Sequence, residues 1–525
     1  MNIRSELKAP AFSGAFIFGE QPLGVAEFLG LAEGRLRPVL GDRARAAMEA
    51  SAAVVARLHA DNAAVYGVTT SLGASVDTIV PPELSDALSL NLLRFHGCGT
   101  GRTLTDLEVA AGLAARVQSL AQGKSGIRPI VADRLIAMLE QRALPVIPAE
   151  GSVGASGDLT PLSYVAATLV GERELRVDGV TLPASQWLRQ AGLPPLRLVA
   201  KEALALMNGT SVACAMPPLA WHEALRVSDL SCSLTAMSSS AVNGNPTHFD
   251  AFIHDARPHA GQRHAARRIA RAVAYDPSNP PTDRRLQDRY SLRCAPHVVG
   301  VAYDTLAWTQ QLIETELNGV SDNPVVDVER EIVLHGGNFY GGHVAAAADT
   351  LKTAIANLAD LMDRQMMLVC NKAENDGLGP NLVGVRGDEA CIHNGFKAVT
   401  IATSAIAAEA LKLSMPASVF SRSTELHNQD KVPMAPIAVR DLLRINELTE
   451  TIGARLSLAA VQALELRGAV DASAHHARFT EALRAHAAPL REDRRLDHDI
   501  ERIRAALHDG AFDACFAQVS DAELS

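Results

Sequence analysis

A glycine-rich segment spanning residues 147–162 has the pattern most suggestive of chemistry in this chain. It contains three glycines at a spacing of three, the last being Gly157, followed directly by Asp158. A phosphate loop would end in Gly-Lys-Ser/Thr, a dinucleotide fingerprint needs Gly-x-Gly, and a hydrolase nucleophile elbow needs a glycine where Asp158 stands. These templates fail, and composition alone favours a flexible turn before a helix that Asp158 or Thr160 could cap.

The tripeptide Ala155-Ser156-Gly157 in this segment allows a second interpretation. The amide nitrogen of Gly157 can attack the carbonyl carbon of Ala155, and loss of two waters, one from the Ser156 side chain, leaves an exocyclic alkene on a five-membered ring. Glycine has no Cβ to block its nitrogen, alanine is small enough for the tight turn, and serine supplies the hydroxyl that leaves. The product is an electrophile that no ordinary side chain provides.

Further motifs accompany this tripeptide in a fixed order along the chain. They are Gly-Ala-Ser-Gly-Asp-Leu at 154–159, Asn-Gly-Thr-Ser at 208–211, Gln-Asp-Arg-Tyr-Ser-Leu-Arg-Cys at 287–294, Ser-Asp-Asn-Pro at 321–324 and Gly-Gly-Asn-Phe at 336–339. With these motifs, the sequence from about Phe18 to Asp493 resembles the aromatic amino acid ammonia-lyase family, which includes histidine, tyrosine and phenylalanine ammonia-lyases and related aminomutases. The resemblance implies that Ala155, Ser156 and Gly157 form the cofactor 4-methylideneimidazole-5-one (MIO). It also implies a non-oxidative deamination of an aromatic L-amino acid to the trans-arylacrylate.

Such a deamination must remove a weakly acidic β-proton and expel a poor amine leaving group. The electrophile answers the second need by covalent catalysis, and a base must face the β-carbon. The resemblance assigns the base to Tyr66, and we expect positive helix termini or a nearby cation to lower its pKa well below the ordinary value of about 10. The family usually has Asn-Thr-Gly-Phe-Gly where residues 69–73 read Thr-Thr-Ser-Leu-Gly. This departure keeps the tyrosine but alters its loop.

The resemblance also assigns residues around the substrate. Arg293 matches the family's carboxylate-binding arginine, since a guanidinium can pair with a carboxylate through two parallel hydrogen bonds. The residues that match the lining of the cofactor ring and the amino-acid end are Tyr290, counted among the catalytic groups, and Gln287, Asn208, Asn338 and Phe339. A structural role for Gln287 is nearly as compatible as a direct one, because buried polar groups need partners regardless.

The side-chain pocket decides which amino acid is used. Phenylalanine lyases commonly have Phe-Leu, many tyrosine lyases His-Leu and histidine lyases Ser-His, whereas this chain has Phe95-His96. His96 could hydrogen-bond an imidazole or a phenol. Where histidine lyases place a glutamate, this chain has Gln429, preceded by Asn428. A neutral amide loses the ion pairing that favours imidazole. We therefore expect an aryl substrate, tyrosine ahead of phenylalanine, with histidine as the alternative.

Other classes of protein fit less well. An aminomutase would use the same residues and return ammonia to the β-carbon, so the motifs do not separate it from a lyase. A helical scaffold without activity would be expected to have lost the Ser156 hydroxyl or Tyr66, and both are present. The chain lacks a His-Glu-x-x-His zinc motif and the Gly-Ser-Ser signature of fumarase-type lyases. We expect no metal.

The elements that must position these residues are mainly helical. Apolar residues recur at helical spacing in 355–366 and 447–467, and 401–413 is apolar nearly all round, which predicts a helix inside a bundle. Short strand-like patches occur at 175–180 and 325–334. We predict a mainly α fold: a long central bundle of the ammonia-lyase and fumarase-like type, with a smaller mixed N-terminal region carrying the cofactor loop.

This pattern suggests three regions along the chain. Residues 1–205 would hold the tyrosine loop and the cofactor loop, 206–475 the central helical bundle, and 476–525 a C-terminal helical segment. The basic stretch 254–271 is expected to be a solvated helix face.

Composition and charge limit the kinds of partner that we expect the chain to bind. The 525 residues carry a net charge of −10 without a block rich in Lys and Arg, which argues against nucleic acid and anionic membranes. Seven scattered cysteines are typical of reduced thiols in a cytoplasmic protein. The stretch Ala9 to Gly19 does not fit a signal peptide, and no uncharged apolar run is long enough for a membrane span. The expected partners are an amino acid substrate and, as the resemblance implies, further copies in a homotetramer whose active sites each draw on three chains.

Overall fold

The computed structural model describes residues 12–61 and 63–516. The β-strands among these residues are β1 (Gly14–Phe18), β2 (Leu36–Leu40), β3 (Thr100–Thr103), β4 (Leu144–Pro145), β5 (Pro148–Glu150), β6 (Glu174–Val177), β7 (Val180–Pro183), β8 (Val325–Asp327) and β9 (Ile332–Leu334). The helices are α1 (Val25–Ala32), α2 (Asp42–Ala60), α3 (Ser85–Phe95), α4 (Asp106–Ala121), α5 (Pro129–Glu140), α6 (Leu159–Leu169), α7 (Ala184–Ala191), α8 (Glu202–Met207), α9 (Ser211–Ala241), α10 (Ala251–Asp255), α11 (Ala260–Ala272), α12 (Tyr290–Arg293), α13 (Ala295–Leu317), α14 (Gly342–Cys370), α15 (Lys397–Leu413), α16 (Ala435–Arg467), α17 (Ala474–Arg484), α18 (Asp497–His508) and α19 (Asp513–Phe516). The prediction of a mainly α fold is confirmed.

The strands form small local sheets. β1 and β2 pair in parallel, β3 pairs with β5 antiparallel, and β4, β6 and β7 form a three-stranded antiparallel sheet. β8 and β9 form an antiparallel hairpin in which Val325 lies opposite Leu334. The two strand-like patches predicted from the sequence are therefore hairpins.

The described chain divides into two compact units. Unit 1 comprises Met1–Leu219, Gln310–Asp349 and Pro416–Arg440, and unit 2 comprises Ala220–Thr309, Thr350–Met415 and Asp441–Ser525. Residues 1–11, where the first part of the rejected leader lies, are outside the described residues. The three regions expected from chain order stay a prediction; each unit is assembled from three separate stretches, and the boundaries lie within α9, α13, α14 and α16 and just after α15.

The interior of unit 1 is organised around α4, which is buried along almost its whole length. A capping box starts this helix: the Thr105 hydroxyl accepts a hydrogen bond from the Glu108 N–H, and the Glu108 carboxylate accepts one from the Thr105 N–H. Arg116 lies midway along it and is completely buried. Small alanine side chains allow α1 and α5 to pack closely against this helix.

Unit 2 contains the predicted amphipathic helices. In α14, Ile355, Leu358 and Met362 are buried while Arg364 is exposed, and residues 447–467 are helical within α16. Both helix predictions are confirmed.

Two surface expectations for unit 2 are not met within the single chain. α15 is not enclosed within this chain, because Ile401 is 68% exposed and Leu411 is also exposed. The basic stretch is not simply solvated, since His254 and His264 are buried. No helix in the described ranges is long and apolar enough to cross a membrane.

Candidate active site

Unit 1 contains a cavity of about 350 Å³ that brings together residues widely separated in the sequence. The predicted site residues that line it are Tyr66, Ala155, Ser156, Asn208, Phe339, Asn428 and Gln429. The predicted site residues that do not line it are Phe95, His96, Gly157, Gln287, Tyr290, Arg293 and Asn338. Further lining residues not chosen from the sequence include Gly73, Asn323, Tyr340 and Lys431.

The cofactor loop is held by a backbone contact between Gly157 and Gly209. The Asp158 N–H donates to the Gly209 carbonyl at 2.7 Å, and a Cβ placed on Gly157 would lie 2.3 Å from that oxygen. Only glycine fits here. Ser156 and Gly157 have φ of 55° and 78°, so the last two residues of the tripeptide occupy the left-handed region. Such backbone strain in a cavity is typical of functional loops.

Gly209 is in turn pressed against a second segment. A Cβ on Gly209 would lie 2.1 Å from Nη1 of Arg116 and 2.5 Å from the Ser321 carbonyl oxygen. The guanidinium of Arg116 donates to that carbonyl at 3.1 and 3.2 Å. Burial lowers the pKa of Arg116. The cofactor loop, the Asn-Gly-Thr-Ser segment and the Ser-Asp-Asn-Pro segment are therefore stacked.

Asp158 does not cap the helix that follows it. Its carboxylate accepts a hydrogen bond from the Ala213 N–H at 2.7 Å, at the start of α9. Burial raises the pKa of Asp158 to about 7, opposed by the N–H groups of Ala213 and Val212. The residue thus fastens the end of the cofactor loop to another helix.

The residues present fit the cofactor that the resemblance implies. Ser156 carries the hydroxyl, Gly157 lies in a cradle that a Cβ would fill, and Asn208 lines the cavity beside them. In the part of the chain that the structure describes, the Oδ1 of Asn208 is buried without a hydrogen-bond partner. A buried amide oxygen that lacks a partner normally requires a donor from a ligand or water.

Tyr66 lies on a turn between the N-terminal helices. Its phenol oxygen accepts the Gly73 N–H at 2.8 Å, and its ring meets His335 edge-on with 6.4 Å between centroids. Thr69, one of the residues departing from the family pattern, stabilises the turn by accepting the Val65 N–H at 2.9 Å. Burial raises the pKa of Tyr66 and the Glu425 carboxylate adds to this, while the Gly73 N–H lowers it. The expected depression of this pKa is therefore not found in the single chain.

Glu425 fastens the tyrosine loop. Its carboxylate accepts the Ala74 N–H at 2.9 and 3.0 Å, and a Cβ on Gly73 would lie 2.5 Å from one of its oxygens. Glu425, Leu426 and His427 all have positive φ, between 48° and 65°. Three consecutive non-glycine residues in this region are strained, and they turn the segment towards the tyrosine loop.

The same segment reaches the cofactor loop through Gln429. Its Nε2 donates to the Ser156 hydroxyl at 3.1 Å, and its Oε1 accepts from the Thr424 hydroxyl at 2.8 Å. Backbone hydrogen bonds in both directions between Thr424 and Gln429 close the loop. The amide is thereby oriented, with its N–H towards Ser156.

Phe95 and His96 lie at the C-terminal end of α3. The ring centroids are 4.2 Å apart, and Nδ1 of His96 is 3.1 Å from the Leu92 carbonyl oxygen. Because a carbonyl only accepts, the His96 proton is on Nδ1 and Nε2 carries a lone pair. Burial lowers the pKa of His96, and the positive charge of Arg173 lowers it further. The imidazole is therefore a neutral acceptor.

Gln287, Tyr290 and Arg293 belong to unit 2. The guanidinium of Arg293 lies over the Tyr290 ring, 4.5 Å from its centroid, and Nε donates to the Asp288 carbonyl at 3.0 Å. Within the described ranges the two terminal nitrogens of Arg293 have no hydrogen-bond partner. Gln287 and Tyr290 are exposed. An arginine fixed at Nε with free terminal nitrogens can receive a carboxylate.

Residues 23–485 match the family described as aromatic amino acid lyase. The chain belongs to the aromatic amino acid lyase family. A histidine ammonia-lyase from Sorangium cellulosum (strain So ce56) is 37% identical over 507 residues, which cover 94% of this chain and 97% of the relative.

Solved structures agree with this membership. A tyrosine aminomutase from Streptomyces globisporus superposes with a TM-score of 0.90 at 33% identity, covering 97% of this chain and 99% of the other. A histidine ammonia-lyase from Trypanosoma cruzi gives 0.88 at 29% identity, covering 97% and 96%. As a member of the aromatic amino acid lyase family, this chain is a carbon–nitrogen lyase.

The carboxylate of Glu425 provides a test of the base. If Tyr66 takes the proton, kcat/KM must rise with pH through the raised pKa of the phenol, because only the phenolate is a base. Glu425→Gln removes a negative charge that raises this pKa, so we expect the rising limb to move to lower pH. Asp178→Asn, in an exposed hairpin turn of unit 1, should leave it in place. An unmoved limb in Glu425→Gln would mean that another group titrates.

Proposed function

We propose that this lyase converts an aromatic L-amino acid to the trans-arylacrylate and ammonia. The observation that carries the proposal is the shared cavity of Ser156, the source of the electrophile, and Tyr66, the base. A tripeptide able to form MIO and a phenol lining one cavity meet both demands of the reaction: amine activation and removal of the β-proton.

The chain's own residues then have distinct roles. When formed from Ala155, Ser156 and Gly157, MIO supplies an electrophilic alkene that makes the substrate amine a better leaving group. Tyr66 takes the β-proton on its phenolate oxygen, where the Gly73 N–H stabilises the negative charge. The unpartnered Oδ1 of Asn208 accepts a hydrogen bond from the amino-acid end of the substrate.

L-Histidine is the substrate we propose first. The curated relatives at 35–38% identity are named histidine ammonia-lyase, which reverses the order expected from the sequence, where tyrosine came first. His96 lies outside the cavity in the single chain, and it supports the proposal only through its chemistry: where it reaches the site in the assembly, its Nε2 lone pair can accept the N–H of a substrate imidazole. The product would be urocanate.

Tyrosine is the second candidate, followed by phenylalanine, and a specific residue favours them. Gln429 places a neutral amide where a carboxylate would pair with an imidazolium, and its N–H is directed at Ser156. A phenol O–H can also donate to His96. A 2,3-aminomutase is an alternative that would use the same residues, and the relative from Streptomyces globisporus is a tyrosine aminomutase.

We also propose a homotetramer with shared active sites. Arg293 and Tyr290 do not line the cavity of unit 1 and would serve the cavity of another copy. The exposed apolar side chains of α15, with Ile401 the most exposed, provide a surface that such an assembly would bury.

Intact mass tests the cofactor. The parent chain should be two water molecules lighter than its sequence, whereas Ser156→Ala should have the full sequence mass, the parent's oligomeric state and almost no lyase activity. The physical reason is that the alkene carbon comes from the serine side chain. A parent chain of full mass would contradict the cofactor assignment.

Substrate profiling tests the proposed order. We expect kcat/KM to be highest for histidine, and Gln429→Glu to increase the ratio of histidine to tyrosine by roughly 10-fold, the effect of one charge-assisted hydrogen bond. Gln141→Glu, the same change at an exposed glutamine that follows α5, is the control for added charge. Preference of the parent for tyrosine would favour the second candidate, and a β-amino acid product would identify an aminomutase.

Sedimentation tests the assembly. Ile401→Glu places a charge in the proposed interface and should shift the tetramer to smaller species with loss of activity. Val180→Glu makes the same change at a similarly exposed valine in the β6–β7 hairpin and should remain tetrameric. A monomeric parent at micromolar concentration would be incompatible with shared sites.

A further inference from the structure

Asp288 links Arg293 to a histidine that the proposed function does not use. Its carbonyl oxygen accepts from Nε of Arg293 at 3.0 Å, and its backbone N–H donates to Nε2 of His248 at 3.1 Å. Its carboxylate accepts the Asn245 N–H at 2.6 Å. All of these residues lie in unit 2. The main chain of Asp288 is therefore held from both sides, with His248 on one side and Arg293 on the other.

The tautomer of His248 follows from its neighbours. The Gln262 amide donates to Nδ1 of His254 at 3.0 Å, so the proton of His254 is on Nε2, where it donates to the His248 carbonyl at 3.1 Å. His248 accepts at Nε2 and therefore carries its own proton on Nδ1. Burial lowers the pKa of both histidines; for His248 the Asp288 carboxylate, with Oδ2 3.6 Å from Nε2, opposes this effect and the positive charge of Arg293 adds to it. His248 is thus a neutral acceptor aimed at Asp288.

The orientation of Arg293 depends on this arrangement. Its guanidinium is fixed at Nε by the Asp288 carbonyl and on one face by the Tyr290 ring. Two fixed contacts define both the position and the plane of the group. A carboxylate is bound through two parallel hydrogen bonds only when the plane is correct, so a shift of the Asp288 backbone that turned its carbonyl would misdirect the terminal nitrogens.

We propose that His248 is a positioning residue for Arg293: by accepting the Asp288 N–H it holds the backbone of Asp288 on its N-terminal side, and the carbonyl on the C-terminal side of the same residue orients the guanidinium towards the substrate carboxylate. The inference rests on the proposed function in one respect, that Arg293 binds the carboxylate. His248 itself does not contact substrate. A merely structural His248 would affect stability but would not distinguish carboxylate ligands from uncharged ones.

The experiment compares two amides of different length. The Gln side chain can place its oxygen about where Nε2 of His248 lies, whereas Asn is one methylene shorter and cannot reach the Asp288 N–H. We expect His248→Asn to raise KM roughly 10-fold, the effect of one lost hydrogen bond, with a smaller change in kcat. His248→Gln should restore KM to near the parent value. His259→Asn, at an exposed histidine of the same unit, should have no effect.

Ligand binding identifies the group through which His248 acts. The dissociation constant of the arylacrylate, measured by calorimetry on the holoenzyme, should rise in His248→Asn by the same factor as KM, while that of the uncharged arylacrylamide should stay unchanged. In an Arg293→Met background, His248→Asn should add less than about a 2-fold effect, because coupled residues are not additive. If the effects of the His248 and Arg293 substitutions multiplied, the proposal would be overturned. It would also be overturned if His248→Asn weakened the binding of both ligands equally.

Different results would contradict the proposed function and the positioning role of His248. If no aromatic amino acid is deaminated by the parent, the proposed function fails, but arylacrylate binding still tests His248 and Arg293 without turnover. If the parent is active and Arg293→Met binds the arylacrylate as tightly as the parent, the carboxylate role of Arg293 fails and the positioning role fails with it. If Arg293 binds the carboxylate but His248→Asn and His248→Gln have the same effect on KM, the positioning role alone is overturned.

Discussion

The contact between Gly157 and Gly209 sets the arrangement of the cavity. Because neither residue has a side chain, the cofactor loop can lie directly on the segment after α8, and that segment can lie on Arg116 and the Ser321 carbonyl. Asn208 precedes one contact and Asn323 follows the other, and both line the cavity. The sequence motifs thus have a simple physical meaning: they are the points where three main-chain segments approach more closely than side chains allow.

Buried charges lie under this stack. Lys201 and Asp322 form a fully buried ion pair at 2.8 Å, one residue from the carbonyl that receives Arg116. Such a pair is costly to desolvate, and its value lies in fixing geometry more than in adding stability. Elsewhere in unit 1, Glu425 fastens the tyrosine loop while raising the pKa of Tyr66. Loop geometry and basicity are therefore in conflict at this residue.

The sequence predicted the local features well. The helical periods in α14 and α16, the two strand-like patches and the tripeptide at 155–157 are all encoded by neighbouring residues. Contacts over long separations were not predictable: Glu425 meets Ala74 across 351 positions, and no pattern links His248 to Arg293. The exposure of Ile401 was missed because apolar composition does not reveal whether a helix is covered by its own chain.

The sequence also did not show which of two similar residues lies at the site. Asn338 and Asn323 both lie in polar motifs, but only Asn323 lines the cavity, where its Oδ1 accepts the Gly336 N–H at 2.8 Å. This hydrogen bond holds Asn323 at the cavity, and the sequence does not reveal such a contact between segments. Likewise Phe95 and His96 were chosen as pocket residues, yet in the single chain they lie at the end of α3 outside the cavity.

The hydrogen bond from Gln429 to Ser156 has a consequence for biosynthesis. The two residues are 273 positions apart, so the ribosome completes the cofactor loop long before it adds the amide that contacts the serine hydroxyl. During more than half of translation, Ser156 is therefore present without its hydrogen bond from Gln429. The donor reaches this hydroxyl only when the segment containing Gln429 has emerged and folded back, which ties the environment of the future electrophile to the final stage of synthesis.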